Sequence, residues 1–348
     1  MFSKLRSLIF KIDPEKAHTL AIKSLKFNLI PSVFDKNKND PIFKTKIFDK
    51  EIDNPIGIAA GFDKNAEVYN PLFKLGFGFV EVGTITPKKQ LGNPKPRIFR
   101  LEKDQALINR LGFNNDGSEI VAKRISENKP LGMLGINIGP NKETKNKSDD
   151  FYSCLLKFYS YADYITINIS SPNTEGLRSF HEENSMANLL EGLNKLKKKN
   201  KINKPLFVKL SPDINEKNIS NIVEIINRYK IEGIIISNTT DQNRDKLIDS
   251  KKNELGGLSG RPIRDISTKL IKKFYKETKK NIAIIGVGGV DSGESAFEKI
   301  AAGATAIQLY TGMVYKGPTV VKEIKKELIS ILKNKKIKNI SEAVGINT

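Results

Sequence analysis

Two different rhythms of apolar residues run along this chain. Near the start they recur at helical spacing: Leu5, Leu8, Ile9 and Ile12 share one face, and Ala17, Leu20, Ala21, Ser24 and Leu25 share another. Between the stripes, Asp13, Pro14 and Glu15 supply an N-cap, a proline at the first helical position and an acidic first turn. Two short amphipathic helices joined at Asp13 are expected, then a polar linker at 36–40. Beyond it, short runs rich in Ile, Val and Gly alternate with amphipathic stretches. The spacing predicts strands at 56–60, 79–85, 132–138, 164–169, 206–210, 233–237, 283–286 and 306–309. Helices are clearest at 185–199, 216–229, 264–279 and 294–302, and Pro318 and Thr319 open a last one running to about Lys333. Eight βα units in series imply parallel strands with right-handed crossovers. Packed into roughly 290 residues, they fit an α/β fold of the closed (β/α)8 TIM-barrel kind better than an open sheet. The expected division is a helical extension at 1–40 and a barrel domain at 41–348.

Composition narrows the function classes. Apolar residues make up 39% of 348, enough for a sizeable core. The formal net charge of +20 invites a nucleic-acid or anionic-membrane partner, but lysine is spread along the whole chain and asparagine is abundant too. Compositional bias explains that pattern better than a basic patch, and no nucleic-acid motif accompanies it, so no nucleic-acid partner is expected. A single cysteine, Cys154 in the helix-like stretch FYSCLLKFY, reads as a core filler and excludes a disulfide framework. With only two histidines, His18 and His181, no metal site is expected; His181 reads as an ordinary loop residue. A reducing compartment follows. No run of eighteen apolar residues occurs, and the basic start is interrupted by Lys4, Arg6 and Lys11, unlike a signal peptide. The helical pair either packs on its own barrel or meets a membrane.

In such a barrel the chemistry sits at the C-terminal strand ends. Here those ends read Ala59-Ala60-Gly61-Phe62-Asp63-Lys64-Asn65, then Gly83–Pro87, Asn137-Ile138-Gly139 and Asn168–Thr174. Lys209, Ser237-Asn238-Thr239-Thr240, Gly286-Val287-Gly288-Gly289 and Tyr310-Thr311-Gly312 follow. Amides, hydroxyls, lysines and glycines dominate; no end carries a histidine or a carboxylate cluster. Amides and hydroxyls suit a flat ligand whose edges offer donors and acceptors. Glycines after the last two strands are where backbone N–H groups hold phosphate. A phosphorylated planar cofactor such as FMN satisfies both; a non-redox phosphate-binding isomerase or lyase is the rival reading.

From Asp13-Pro14-Glu15-Lys16-Ala17-His18 to the final helix, the chain resembles the dihydroorotate dehydrogenases. The resemblance is carried by AAGFDKN at Ala59–Asn65, EVGTITP at Glu81–Pro87, GNPKPRIFRL at Gly92–Leu101 and INRLGFNN at Ile108–Asn115. NISSPNTEGLR at Asn168–Arg178, GGLSGRP at Gly256–Pro262 and IIGVGGVDSGESA at Ile284–Ala296 continue it. It implies FMN contacts from Ala60, Gly61, Phe62, Asp63, Lys64, Thr84, Asn137, Asn168, Lys209, Ser237, Gly260, Gly289, Tyr310 and Thr311. It implies substrate contacts from Lys64, Asn109, Arg110, Leu111, Gly112, Phe113, Asn168, Asn173, Asn238 and Thr239, with Ser171 as catalytic base. Ser237 departs mildly, since many relatives carry threonine there; the hydroxyl is kept.

What the family does is oxidise dihydroorotate to orotate, losing a proton from C5 and a hydride from C6 to FMN, in pyrimidine biosynthesis. Relatives with a cysteine base use soluble acceptors such as fumarate; those with a serine base use a membrane quinone. Ser171 and the helical extension both point to quinone. The resemblance then implies a peripheral protein on the cytoplasmic face of a bacterial membrane. It places His18, Arg100 and Tyr310 along a quinone tunnel, and no obligate protein partner is evident. Six basic residues (Lys4, Arg6, Lys11, Lys16, Lys23, Lys26) would add attraction to anionic lipid where they face it.

Overall fold

A computed structural model describes residues 2–27, 40–242 and 244–348. The linker expected at 36–40 lies, apart from Asp40, outside the described residues. Eight parallel strands close a barrel: β3 (Ile56–Ile58), β4 (Phe79–Ile85), β7 (Met133–Ile138), β8 (Tyr164–Asn168), β9 (Leu206–Leu210), β10 (Gly233–Ile236), β12 (Ala283–Val287) and β13 (Ala306–Leu309), which returns to β3. Seven of the eight are buried at every position and the eighth at all but its first residue, so they are mostly apolar, with the few polar exceptions such as Glu81, Asn137, Asn168 and Lys209 buried too.

The barrel interior is filled by aromatic rings seated opposite glycines. A Cβ on Gly57 would stand 2.5 Å from the Phe79 ring, one on Gly135 2.1 Å from Tyr164 and one on Gly233 2.0 Å from Phe207. Large side chains on β4, β8 and β9 thus need small neighbours on β3, β7 and β10. The N-terminal end is plugged by a hairpin of β1 (Thr45–Ile47) and β2 (Lys50–Ile52), whose Ile47 and Ile52 join that inner cluster. Helices α3 (Tyr69–Lys74), α4 (Ser118–Glu127), α5 (Lys147–Phe158), α6 (Glu183–Lys199), α7 (Ile219–Arg228), α8 (Arg264–Glu277), α9 (Gly293–Ala301) and α11 (Val320–Asn334) pack outside, with the short α10 (Thr311–Lys316) following β13. Cys154 is fully buried in α5, a core filler as expected, and burial pushes its thiol well above the ordinary range.

One element has no place in the βα rhythm. β5 (Ile98–Leu101), β6 (Ala106–Asn109) and β11 (Gly257–Gly260) form an antiparallel sheet with its own small core of Phe99, Leu101, Ile108, Leu258 and Ile263. It joins the loops after β4 and β10 into a roof over the C-terminal mouth.

The extension is α1 (Phe2–Ile9) and α2 (Pro14–Lys26), joined at Asp13, whose carboxylate accepts from the N–H groups of Glu15 and Lys16. Such a cap is worth about 1 kcal/mol. Barrel arginines fasten the pair down. Arg97 grips Glu15 with two bonds of 2.7 and 3.1 Å, and Arg100 donates to the carbonyls of Phe10 and Ile12 while stacking over the Phe10 ring at 4.5 Å. What faces the barrel is Phe10, Ala17 and Leu25; Leu5, Leu8, Ile12, Leu20 and Phe27 point away and are exposed. The face expected from Ala17 to Leu25 is therefore split, because Leu20 projects to the opposite side. Of the six basic residues, Arg6 is turned inward to the Tyr315 carbonyl and Lys26 pairs with Glu67, while Lys11, Lys16 and Lys23 are exposed. Among the described residues no helix is long and apolar enough to cross a membrane.

Candidate active site

A deep cavity opens between the C-terminal strand ends and the antiparallel roof, with about 1290 Å³ of space free of protein atoms, its open mouth included. That is enough for two ligands side by side. Four charged residues line it, three cationic (Lys64, Lys209, Arg261) and one acidic (Asp291), and Arg261 bonds Asp291 at 2.6 Å. The interior therefore favours anions.

One flank is a chain of fixed amides. Glu81, sealed inside the barrel, accepts from Asn137, Tyr164 and Gln308. Because Asn137 gives its N–H to Glu81 at 2.8 Å, its carbonyl is left to accept from Thr84 (2.6 Å) and Asn168 (3.0 Å). Asn168 is thereby oriented in turn, and its carbonyl accepts from Ser170 and, at 3.3 Å, from Asn238. Donor and acceptor directions propagate from one buried carboxylate to three cavity residues, Thr84, Asn168 and Asn238. On the roof side Asn173 donates to Asn109 at 3.4 Å. Asn114, also in the lining, keeps a buried carbonyl oxygen without a donor among the described residues.

Ser171 stands among these amides. It is buried and its Oγ accepts the Asn173 N–H at 3.2 Å; among the described residues no carboxylate or imidazole bonds to it. Lys64 spends one N–H on the Gly61 carbonyl at 2.7 Å and points the rest of its ammonium at the cavity. Burial pulls its pKa down to about 8, against Glu15, which raises it. Lys209, from the end of β9, is lowered by burial and opposed by Glu81, and no acceptor bonds it among the described residues.

The other flank is a glycine rim. Gly260, Gly288 and Gly289 have φ of 96°, 115° and 73°, values that glycine adopts freely. Among the described residues the N–H groups of Gly288, Gly289 and Gly312 donate to no protein acceptor. Free N–H donors on a rim of glycines fit the phosphate of a cofactor.

Most residues singled out from the sequence line this space: Ala60, Gly61, Lys64, Thr84, Asn109, Leu111, Gly112, Phe113, Asn168, Ser171, Asn173, Lys209, Ser237, Asn238, Thr239, Gly260, Gly289, Tyr310 and Thr311. Four do not. Asn137 acts from behind through Thr84 and Asn168. Arg110 turns outward to Glu254 and stacks on Phe99. Asp63 caps the following turn by accepting from Glu67 and Val68, and burial pushes its pKa up to about 6. Phe62 packs edge-on against both His18 (5.3 Å) and Tyr310 (6.0 Å). His18 and Arg100 lie outside the lining too; burial holds His18 down to about 3. Sequence reasoning missed Ile98, Gln105, Leu107, Ser259, Arg261, Ile263 and Tyr315, which come largely from the roof. His181 is no ordinary loop residue: it is held by the Arg178 carbonyl and accepts the Ser211 N–H at 3.2 Å, tying the loop after β8 to that after β9.

Fold and site together define a (β/α)8 barrel with a large, cation-lined cavity at its C-terminal mouth. Residues 42–332 match the dihydroorotate dehydrogenase family, and the chain belongs to it; it is an oxidoreductase. It is 47% identical to the dihydroorotate dehydrogenase (quinone) of Bartonella tribocorum, over 97% of this chain and 94% of that protein. It is 46% identical to the protein of the same name from Bartonella henselae, over 96% and 93%. The crystal structure of DHODH from Eimeria tenella in complex with ferulenol superposes with a TM-score of 0.93 at 39% identity, over 96% of each chain.

Proposed function

We propose that this chain oxidises dihydroorotate to orotate with FMN as hydride acceptor and a membrane quinone as final acceptor, as a step of pyrimidine biosynthesis. One observation carries the reading: a single cavity is lined by Ser171, Lys64, four asparagines, the unpaired Lys209 and a glycine rim with free N–H donors. Gly260, Gly289, Thr311 and Lys209 would hold FMN, which supplies the two-electron chemistry. Asn109, Asn168, Asn173 and Asn238 offer alternating donors and acceptors to the edges of a pyrimidine, and Lys64 offsets its carboxylate. Ser171 takes the C5 proton. A serine does so only as its own hydroxyl proton passes to water at the open mouth of the cavity, and the cationic lining, Lys64 included, eases that loss. Purified protein should be yellow, release FMN on denaturation, and reduce a short-chain quinone only when dihydroorotate is present; a colourless or inert protein overturns the reading.

The Lys64 reading has a pH signature. Its pKa of about 8 means the ammonium is present below pH 8 and lost above it. KM for dihydroorotate should therefore rise above pH 8 by up to about tenfold per pH unit, one proton being required. Lys64→Met should raise KM at pH 7 and flatten that rise; a KM independent of pH up to 9.5 in the natural chain contradicts the assignment.

The extension suits the second half-reaction. Its inward side meets the wall of the cavity that carries Ile98, Tyr310 and Tyr315, with Phe10 edge-on to Tyr315 at 5.3 Å. Its outward side presents Leu5, Leu8, Ile12, Leu20 and Phe27 with Lys11, Lys16 and Lys23. Apolar side chains ringed by lysines suit an anionic bilayer surface, each lysine adding about 1 kcal/mol. Joint Leu5→Glu and Leu8→Glu substitution touches no anchoring contact. It should cut binding to anionic liposomes at least tenfold, each buried leucine being worth about 1.5–3 kcal/mol. Long-tailed quinone reduction should slow while flavin reduction stays unchanged; unaltered liposome binding and quinone turnover would remove the membrane role.

A further inference from the structure

Behind the glycine rim stands a lysine that no step above uses. Lys299, on α9, is fully buried and pairs with no carboxylate among the described residues. Its ammonium donates to Ser267 Oγ at 2.5 Å, Thr268 Oγ1 at 3.0 Å and the Arg264 carbonyl at 3.3 Å, three acceptors for three N–H groups. The first of these leads to the cavity, because Ser267 Oγ also lies 3.2 Å from the Gly288 carbonyl. Ser267 Oγ also lies 3.1 Å from the Arg264 carbonyl, but that carbonyl already accepts from Lys299, and with a second lysine N–H on a Ser267 lone pair the serine proton can go to the Gly288 carbonyl. In a planar trans peptide the Gly288 C=O and the Gly289 N–H point in opposite directions. Holding the carbonyl toward α8 turns the Gly289 N–H the other way, and Gly289 lines the cavity. Packing closes the same arrangement: a Cβ on Gly288 would stand 2.8 Å from Ser267 Oγ, and one on Gly289 2.5 Å from Arg264 Cβ. The neighbouring Arg264 is already matched by Glu298, with bonds of 2.7 and 2.6 Å.

We propose that Lys299 is a positioning residue for the phosphate end of the cofactor, setting the Gly288–Gly289 peptide through Ser267 and placing a buried positive charge behind it. This rests on the FMN reading above. Glu298 and Asp265 act on this ammonium without pairing with it, Arg264 opposes them, and a phosphate would supply a further opposite charge. Burial pulls Lys299 down to about 7, so an anion beyond Gly288 also keeps the proton on it.

The test is the choice between FMN and riboflavin, which differ by the phosphate alone. Flavin-loaded protein is equilibrated with mixtures of the two, and the bound ratio is measured for the natural chain, Lys299→Met and Ser267→Ala. Lys299→Met should lower the preference for FMN about tenfold or more, as loss of one buried charge near a dianion requires; Ser267→Ala should lower it at least threefold. A preference kept within threefold in Lys299→Met, including equal weakening of both flavins, overturns the proposal and leaves Lys299 a packing residue. Where Lys299→Met does not fold or bind flavin, Ser267→Ala decides by the same threefold mark. A natural chain that takes up neither flavin contradicts the FMN reading itself, not the role of Lys299.

Discussion

Ser171→Ala protein is expected to emerge yellow, with FMN in place, and to be reduced by dihydroorotate about 10²–10⁴-fold more slowly than the natural chain, the usual worth of a positioned general base. The size follows from the surroundings. Ser171 is buried among amides and accepts only the Asn173 N–H, so no neighbouring carboxylate or imidazole can take over its role. Removing one oxygen costs the Asn173 N–H its acceptor but leaves Asn168 and Asn238 where they are, since these are oriented from Glu81 and not from the serine. Substrate affinity should therefore change little while the reduction rate collapses. Stopped-flow reduction at the natural rate would strip Ser171 of the role.

Lys209→Met should act differently, weakening FMN retention and slowing reduction together, by about 10²–10³-fold for the loss of one preorganised charge in a buried site. The side chain comes from the C-terminal end of a buried barrel strand, and burial disfavours its charge unless an anion faces it. Glu81 lies on its barrel side, and the cavity lies on the other. Developing negative charge in the cavity is thus met by a cation already in position. Full flavin occupancy with an unchanged reduction potential in Lys209→Met would count against this.

The barrel was legible because its strands are buried on both faces: Ile234, Ile235 and Ile236 have no solvent side, so no polar alternation interrupts the run. The roof was not. Its strands are four residues long, IFRL and ALIN carry Arg100 and Asn109, which reach outside the sheet to the extension and to Asn173, and β11 pairs across nearly 150 positions of sequence. No local period encodes such a pairing. For the same reason the roof's share of the cavity, such as Ile98 and Ser259, escaped notice, while the barrel-end residues did not. Proximity in sequence also misled in one direction: Asp63 sits between Gly61 and Lys64, yet its carboxylate is spent on the N–H groups of Glu67 and Val68. In the extension the helical period marked the two helices, but a period cannot say which of its apolar positions meet the barrel and which meet something else. Phe10 and Leu25 went in; Leu8 and Leu20 stayed out.

The central claim is that one cavity holds flavin and dihydroorotate in reacting contact. An anaerobic absorbance titration of the purified protein with dihydroorotate tests it most directly. The account predicts bleaching of the visible flavin band, complete near one equivalent per bound FMN, with orotate formed in equal amount. A flavin band that persists under excess dihydroorotate, in protein shown to be folded and loaded, would contradict it.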